Sequence, residues 1–479
     1  MDYRIYPSIG IARIGNSSSF FVGPEVVGSA GRELGTGEEV QSFKDGNFRT
    51  RRQAARFRIY QYASDGSGGA PATFPAGTRV VWTVRVANIK DAIRRPSAPP
   101  ATVPIRPVLD PSRSDRVIDS GDVSISGLNS PAVSLSGRHV GSEVDLGFLV
   151  TDADGQLLVV GGPGVSRSSP LSPIGDSFYN NVNWRDDVCD GVVSATIVFP
   201  DGRSQLAESS TVVVAPPDFA RGSHATVSLY DIVHQLAVDQ GWIANPAMTS
   251  FTGDVYPLLM KTRSLQYSHS NSNWLSISSD YARLSSTAPS ESSFRMENRN
   301  RILRIEGLLW AYRLTAVQKS HLERWVAGLF SSDWTGYPPV AETPTPQSLN
   351  HSGLDATAGQ GFFPGIECGR VLTDPSIYRL PFDFRINTSV MPPGYLTALM
   401  AQPWQADFLK CAGSWWPSQR PDRAPQLTGP PLSWARNSSG GSVDHKYLVD
   451  HVMKFGVITP QSATPGANAY ESGRDPSCP

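Results

Sequence analysis

The sequence has few cysteines, and none of them belongs to a familiar cysteine motif. Its four cysteines, Cys189, Cys368, Cys411 and Cys478, lie far apart and form no CxxC pair. A disulfide framework needs many cysteines, and a zinc knuckle needs closely spaced ones, so neither is predicted. Each thiol must therefore be interpreted separately.

An excess of charge of one sign and long apolar runs are also missing. The 42 Lys and Arg residues nearly balance the 43 Asp and Glu residues, and no basic block stands out. Nothing therefore favours a nucleic acid or an anionic membrane as partner. No apolar run reaches the length of a signal peptide or a membrane span. We expect a cytoplasmic protein with small or neutral partners; export by another route and a homo-oligomer stay open.

Common catalytic signatures are absent as well. The sequence contains no HExxH and no GxxxxGK[ST] motif. The stretch "GGPGVS" at 161–166 lacks the helix and acid of a dinucleotide site, so it predicts a turn. His445 and His451 are six residues apart, a spacing that turns them away from each other on a helix. No metal site is predicted.

Short β-branched runs bounded by turn residues are frequent up to about residue 225. They predict strands at 79–89, 144–152, 156–162, 192–199 and 209–215. Asp-Gly pairs in "TDADGQLLVV" and "IVFPDGRSQL" favour tight hairpins and hence antiparallel pairing. The first half is therefore predicted to be one β-rich region.

Helical spacing replaces this pattern in the second half. It predicts helices at 228–242, at 314–330 and at 442–456, the second with Thr315 and Gln318 in capping-box spacing. Segments 264–293 and 337–353 predict long loops, and the tail after Ile458 is expected to be loosely ordered. The sequence thus predicts an α+β fold: a β-rich antiparallel region at 1–225, and a mainly helical, loop-rich region at 226–479 that carries the site.

An acid and a thiol occur at helical spacing in "QADFLKCAGSWWPSQRPD", residues 405–422. The stretch "PWQADFLKC" allows a short helix on which Asp407 and Cys411 share one face. Tryptophan is unusually frequent in this part of the sequence. The residues alone leave two interpretations open: a buried thiol beside a capping acid, or a reactive pair in an aromatic pocket.

Several long motifs, in order along the chain, resemble those of the LodA-like family of quinoproteins, the lysine ε-oxidases and glycine oxidases. They are "YPSIGIARIGNSSSFFVGPE", "NWRDDVCDGVVSATIVFPDG", "QPWQADFLKCAGSWWPSQRPD" and "PLSWARN" with the terminal "LVDHVMKFGVI". The resemblance runs from the first residues to the last helix. It is specific for the family and weak for the substrate.

The resemblance implies a cofactor made from the protein's own side chains, cysteine tryptophylquinone. In this cofactor a cysteine sulfur is joined to an indole ring that also gains two quinone oxygens. Cys411 matches the family's cysteine, and Asp407 matches the acid that serves as base and in cofactor maturation. Trp434 matches the quinone tryptophan, with Trp416 as second choice. A partner flavoprotein for maturation is implied, and no metal.

The resemblance also suggests residues of the substrate pocket. Cys368 resembles a second family cysteine near the pocket, with a buried structural thiol as the alternative. Arg436 stands where characterised members can carry His, and it either pairs with a substrate carboxylate or orients a loop. Trp415 and Trp416 are pocket candidates, with core packing as the alternative.

The implied reaction is oxidative deamination of an amino acid or related amine by dioxygen, releasing ammonia and hydrogen peroxide. A quinone carbonyl is electrophilic, so a primary amine can condense with it, and Asp407 can then remove a proton from the carbon that bears nitrogen. Two alternatives remain. One is a non-catalytic β-rich binding protein whose tryptophans stack on a sugar or peptide; the other is a family member acting on a specialised metabolite or peptide.

Overall fold

The structure is a computed structural model that describes most of the chain. The described residues are 2–95, 106–175, 180–270, 272–308, 313–359, 368, 371–379, 383–410, 419–436, 445–462 and 468–478. Residues 272, 307–308, 407, 409–410 and 445 are described by their backbone alone. Cys411, Trp415 and Trp416 therefore lie outside the described residues, and so does the side chain of Asp407.

Most strands of the described chain join one sheet of 14 strands. In chain order, its members are β1 (Asp2–Tyr6), β2 (Ile9–Arg13), β3 (Phe20–Val22), β4 (Arg52–Tyr62), β5 (Gly68–Pro71), β6 (Arg79–Asn88), β7 (Ile118–Asp119), β8 (Val123–Ser126), β9 (Val133–His139), β10 (Ser142–Thr151), β11 (Leu157–Gly161), β14 (Cys189–Val198), β15 (Ser204–Leu206) and β16 (Ser210–Ala215). Three two-stranded ladders accompany it: β12 (Arg167–Ser168) with β13 (Trp184–Arg185), β17 (Arg423–Ala424) with β18 (Leu432–Ser433), and β19 (Val457–Pro460) with β20 (Ala469–Ser472).

The sheet is mainly antiparallel, as predicted. Its strand order is β7-β6-β14-β16-β2-β4-β11-β10-β9, with the remaining strands paired to β4, β6 or β14. The two Asp-Gly turns join antiparallel pairs, β10 with β11 and β14 with β15. Parallel pairing occurs between β2 and β16 and between β3 and β4. The N-terminal motif supplies β2, so it builds the middle of the sheet.

The α-helices of the described chain all follow the sheet. They are α1 (Leu229–Asp239), α2 (Tyr256–Ser264), α3 (Tyr281–Leu284), α4 (Ser292–Leu308), α5 (Ala316–Val326), α6 (Pro346–Asp355), α7 (Trp404–Lys410) and α8 (His445–His451). The three predicted helices are confirmed as α1, α5 and α8, and α5 begins with the predicted capping box. The α+β fold class is confirmed; the division at residue 225 stays a prediction. None of the described helices is both long and apolar enough to cross a membrane.

Two predicted irregular segments are wrong. Segment 337–353 contains most of α6, which begins with a capping box between Thr345 and Ser348 and has Pro346 at its first turn. Proline at that position is compatible with a helix because its missing N–H would have no partner there. The described part of the tail after Ile458 is not loose, because β20 pairs antiparallel with β19. Segment 264–293 is irregular only in part: besides α3, it contains 3-10 helices at Leu265–Tyr267, Ser272–Ser276 and Pro289–Glu291.

Alternating side chains of the central strands separate two hydrophobic cores. Val212 and Val214 of β16 belong to the first core, and Val213 and Ala215 belong to the second. Successive side chains of a strand point to opposite faces of the sheet, so the two cores cover its two faces. The first core includes Trp404, Phe408, Trp434 and Phe455. The second includes helix α1 and Cys368.

Candidate active site

Helix α7 is fixed to the sheet by a fully buried ion pair. Lys90 Nζ lies 2.6 Å from Asp186 Oδ2, and the two side chains are 1% and 0% exposed. The same carboxylate oxygen accepts the backbone N–H of Trp404 at 2.9 Å, and Lys90 also donates to the Ala401 carbonyl at 3.0 Å. A carboxylate at a helix start satisfies an N–H that has no partner in the helix. Burial lowers the pKa of Lys90, and Asp186 opposes this shift.

Two further acids of the central motif are buried nearby. Asp190 accepts hydrogen bonds from the Thr397 N–H at 2.8 Å and the Thr397 hydroxyl at 2.7 Å, and burial raises its pKa to about 6. Asp187 accepts the Gly164 N–H at 2.5 Å, and burial, reinforced by Asp186, raises its pKa to about 7. The motif "DDVCD" thus connects the sheet to residues 394–404, which lead into α7.

Aromatic rings enclose Trp434, which is 0% exposed. Its ring centroid lies 5.1 Å from that of Phe219 and 5.0 Å from that of Phe455. Phe219 in turn lies 6.3 Å from Phe408 of α7, and Phe408 lies 5.0 Å from Trp404. Edge-to-face and tilted pairs at these distances stabilise a core beyond the burial of their area. The rings connect Trp434 to α7 in one water-excluded cluster.

The polar atoms of Trp434 are hydrogen-bonded within the protein. The indole Nε1 donates to the Gly456 carbonyl at 2.7 Å, and the backbone N–H donates to the Asp422 carbonyl at 3.0 Å. Its carbonyl accepts a bond from Arg474 Nη2. These bonds fix both the orientation of the ring and the position of its backbone.

Arg420 lies between α7 and Trp434. Its guanidinium carbon is 5.9 Å from the centroid of the Trp434 ring, and its Nε donates to the Phe408 carbonyl at 2.5 Å. Nη1 donates to the Pro421 carbonyl at 3.0 Å and contacts Asp422 Oδ1 at 3.4 Å. The sequence interpretation assigned no role to Arg420, because hydrogen bonds to main-chain carbonyls leave no sequence signal.

Arg436 lies beside the tail of the chain. Its Nη2 donates to Glu471 Oε2 at 2.9 Å, and Nη1 donates to the Ser433 carbonyl at 3.0 Å. Arg474 Nε contacts the other Glu471 oxygen at 2.7 Å. A substrate carboxylate would therefore compete with Glu471 for Arg436. Glu471 and Arg474 were not predicted as site residues, because the tail was expected to be loosely ordered and neither residue belongs to a recognisable motif.

Two more residues near this core lacked a sequence signal. Lys44 Nζ donates to the Met453 carbonyl at 2.8 Å and lies 6.0 Å from the Phe219 centroid, and burial lowers its pKa to about 7. Trp404 Nε1 is buried and has no hydrogen-bond partner within the part of the chain that the structure describes. A buried N–H without an acceptor is unfavourable.

The structure brings together some of the predicted site residues. Asp407 belongs to α7, and Cys411 is the first residue after α7, outside the described residues. Trp434 lies in the same core as Phe408. Cys368 is fully buried at the opposite face of the sheet, where its carbonyl accepts the Val371 N–H at 3.0 Å. Trp415 and Trp416 fall outside the described residues.

No cluster of three or more metal-ligating side chains is found among the residues that the structure describes.

Comparison with known proteins assigns the family. The model of the L-lysine ε-oxidase N-terminal domain matches residues 6–214, and that of the L-lysine ε-oxidase C-terminal domain matches residues 308–434. The chain belongs to the LodA-like family. This confirms the family predicted from the motifs.

Relatives of this LodA-like protein are known by sequence and structure. L-lysine 6-oxidase of Marinomonas mediterranea is 26% identical over 533 aligned residues, which cover 86% of this chain and 71% of the relative. Two crystal structures show L-Lys ε-oxidase from the same organism, one of them as its Schiff base intermediate with L-Lys. Both superpose with a TM-score of 0.77 at 18% identity, covering 99% of this chain and 95% of theirs. The shared fold extends along the whole molecule.

Family membership defines the class of enzyme. This LodA-like protein is an oxidoreductase of the amine and amino-acid oxidase class. Membership also implies a quinone cofactor derived from the protein itself. The C-terminal match ends at Trp434, the residue that the aromatic cluster encloses.

Proposed function

We propose that this protein oxidatively deaminates the primary amine of an amino acid or related amine, using a cysteine tryptophylquinone built from Cys411 and Trp434. Oxidation of one amine molecule consumes one water and one dioxygen, and yields one carbonyl product, one ammonia and one hydrogen peroxide. L-Lysine is the first substrate to test, because the relatives described above are L-lysine oxidases.

The position of α7 relative to Trp434 carries this proposal. The described part of the helix, Trp404–Lys410, extends to the residue before Cys411. Its Phe408 ring packs against Phe219, and Phe219 packs against Trp434. A thioether between Cys411 and Trp434 requires that the two segments lie in one core, and this arrangement supports it.

The residues around Trp434 fit a quinone on that ring. When formed, the quinone supplies an electrophile for the amine and a sink for two electrons. The hydrogen bond from Nε1 to Gly456 holds the ring in one orientation, and the buried rings of Phe219, Phe408 and Phe455 exclude water from it. Asp407 of α7 is the proposed base, which takes the proton from the carbon that bears nitrogen.

An assay for peroxide release tests the activity. Purified protein is mixed with L-lysine, the other amino acids and simple amines, and peroxide is measured together with the carbonyl product and ammonia. We expect equal amounts of the three products from at least one amine, and none from Cys411→Ser. Absence of peroxide from a preparation with intact cofactor would contradict the oxidase function.

Tryptic mapping tests which tryptophan is modified. Trypsin cuts after Lys410 and Arg423 but spares Arg420, because Pro421 follows. Cys411 and Trp434 then lie on different peptides, whereas Trp415 and Trp416 share the peptide of Cys411. We expect the two peptides to travel as one, heavier than their sum by two oxygens less four hydrogens. Unmodified Trp434 in active, coloured protein would instead favour Trp416, the second choice, or Trp415.

Cofactor formation should depend on a partner flavoprotein. Oxygenating an indole ring is difficult for unaided side chains, so the chain expressed alone should lack absorbance beyond that of Trp and Tyr. Co-expression with the flavoprotein should restore colour and activity. Full colour without any partner would show that this member matures by itself.

A further inference from the structure

Arg420 connects the two segments that the proposed cofactor joins. Its side chain is 6% exposed. Nε donates to the carbonyl of Phe408, the residue directly after Asp407, while the guanidinium carbon lies 5.9 Å from the Trp434 ring centroid. The arginine thus contacts α7 and the Trp434 ring at once.

The residues next to Arg420 complete this connection. The Asp422 carbonyl accepts the Trp434 N–H at 3.0 Å, and the Asp422 N–H donates to the Ser268 carbonyl at 2.7 Å. Residues 420–422 therefore bond to α7 on one side and to the Trp434 backbone on the other. A shift of α7 relative to Trp434 would have to break bonds in this short segment.

The positive charge of Arg420 also interacts with the Trp434 ring. A guanidinium within about 6 Å of an aromatic centroid is attracted to the ring, and the attraction is larger where water is excluded. If the ring takes up two electrons from an amine with fewer than two protons, its oxygens would carry negative charge, which a nearby guanidinium favours. Asp422 Oδ1, 3.4 Å from Nη1, balances part of the arginine charge.

We propose that Arg420 is a positioning residue for the cofactor: it holds α7 beside Trp434 for cross-linking, and its charge stabilises the reduced form of the ring. This assignment rests on the proposed function, since it takes Trp434 as the modified residue. It adds a role for a residue to which the family resemblance assigned none.

Two substitutions separate the two roles. Arg420→Lys keeps a positive charge but replaces the planar fork of donors by one ammonium group. Arg420→Gln removes the charge and keeps one donor group. Both variants leave the tryptic map unchanged, because Pro421 protects position 420 in each case.

Arg221→Gln is the matched control. Arg221 is also buried, at 8% exposure, and also lies over aromatic rings, 5.0 Å from the Phe43 centroid and 5.4 Å from that of Phe21. Its described side-chain partners are Gln53, to which it donates a hydrogen bond, and Asp218, with which it forms an ion pair. The control therefore measures the general effect of removing a buried arginine from this core.

The proteins are co-expressed with the maturation partner and compared by two readouts. The first is the fraction of Trp434 recovered in the cross-linked peptide, and the second is the midpoint potential of the cross-linked protein. We expect Arg420→Gln to lower both, and Arg420→Lys to lower the cross-linked fraction with a smaller change in potential. Arg221→Gln should keep the wild-type potential.

The outcomes separate failure of the Arg420 assignment from failure of the proposed function. Wild-type cross-linking and potential in Arg420→Gln would overturn the role of Arg420, as would an equal shift of potential in Arg221→Gln. If Arg420→Gln does not fold, wild-type cross-linking and potential in Arg420→Lys are the overturning result. A wild-type protein without any Cys411–Trp434 peptide would overturn the proposed function itself, and this assignment with it.

Discussion

Hydrogen bonds fix both the ring and the backbone of Trp434. Its indole N–H, its backbone N–H and its carbonyl each have a partner in the protein. Any buried tryptophan needs partners for these groups, because an unpaired buried N–H or carbonyl is unfavourable. A ring that must receive a sulfur at one carbon and oxygens at two others also needs a fixed orientation. The bonds of Trp434 are therefore consistent with its proposed modification.

Replacing Asp407 tests the proposed base. Asp407→Asn keeps the size of the side chain but cannot take up a proton, so turnover per cross-linked protein should fall at least about 100-fold. The same substitution at exposed Asp450 of α8, which pairs with Lys446, should leave turnover unchanged. Rates are divided by the cross-linked fraction, because Asp407 is also expected to act in maturation. Normal turnover in cross-linked Asp407→Asn would remove Asp407 from the mechanism.

Asp187 should make stability depend on pH. Its pKa is raised from 3.8 to about 7 in the folded protein, mainly by burial, and its Oδ1 has no partner among the described residues. The folded state therefore binds this proton more tightly than the unfolded state. The stability it contributes is complete below about pH 4 and is lost as the pH rises toward 7.

Asp187→Asn removes that dependence, since an amide does not titrate. Between pH 5 and 7, the unfolding free energy of the wild type should fall by about 2 kcal/mol more than that of the variant, because each pH unit contributes up to about 1.4 kcal/mol. Urea unfolding at the two pH values measures the difference. Equal pH dependence of the two proteins would show that Asp187 is not protonated in the folded state.

Contacts with other parts of the chain determine the position of helix α7. Most of the stability of a helix in a protein comes from tertiary packing rather than from helix propensity. Asp186 of the Lys90–Asp186 pair accepts the Trp404 N–H at the start of α7, and Phe408 packs in the first core. The central sequence motif is thus a support for the proposed catalytic helix.

Neutralising Asp186 should strongly destabilise the protein. Asp186→Asn leaves the Lys90 charge buried without a counterion, which costs about 3–5 kcal/mol. Adding Lys90→Met should restore part of this loss, because the isolated charge is removed as well. Glu297→Gln, which breaks an exposed pair with Arg301, should leave the unfolding free energy nearly unchanged. Additive effects of the two core substitutions in denaturant unfolding would contradict a coupled pair.

Sequence patterns predicted elements whose stability is local and missed those held by distant contacts. The capping box of α5 and the Asp-Gly hairpins are local signals, and the structure contains the capping box and both hairpins. Helix α4 was missed because its buried face begins with polar residues, Arg295 and Asn298, which bond to main-chain carbonyls; the buried Ile302 and Ile305 follow only in its second half. The motifs led to Asp407, Cys411 and Trp434 through the family resemblance. Their supports, such as Arg420 and Arg474, bond to main-chain atoms and leave no pattern.

At the scale of the whole molecule, distant parts of the chain converge on the first core. Lys44 follows the N-terminal strands and binds the carbonyl of Met453, which lies just after α8. Phe219 follows the last strand of the sheet, and α7 and Trp434 come from the C-terminal half. A site assembled from such separated segments requires the complete fold. It also explains why the family resemblance extends along the whole chain.

The tail of the chain also contacts this core, and truncating the tail tests whether those contacts support Trp434. β20 pairs with β19, Glu471 binds both Arg436 and Arg474, and Arg474 binds the Trp434 carbonyl. A chain ending after Gln461 loses these contacts, whereas a chain ending after Cys478 keeps them, together with the bond from Arg474 to the Cys478 carbonyl. Charge-assisted hydrogen bonds and a buried hairpin contribute several kcal/mol together, so the first truncation should lower the melting temperature by more than about 5 °C.

Truncation after Gln461 should also prevent cofactor formation, because the Trp434 backbone is no longer held against α7. The chain ending after Cys478 is the matched control, and its melting temperature and cross-linked fraction should stay close to those of the full chain. Both proteins are co-expressed with the maturation partner and compared by differential scanning calorimetry and by tryptic mapping. If the chain ending after Gln461 melts and cross-links like the full chain, the tail does not support Trp434, and the bonds from Glu471 and Arg474 are incidental to the site.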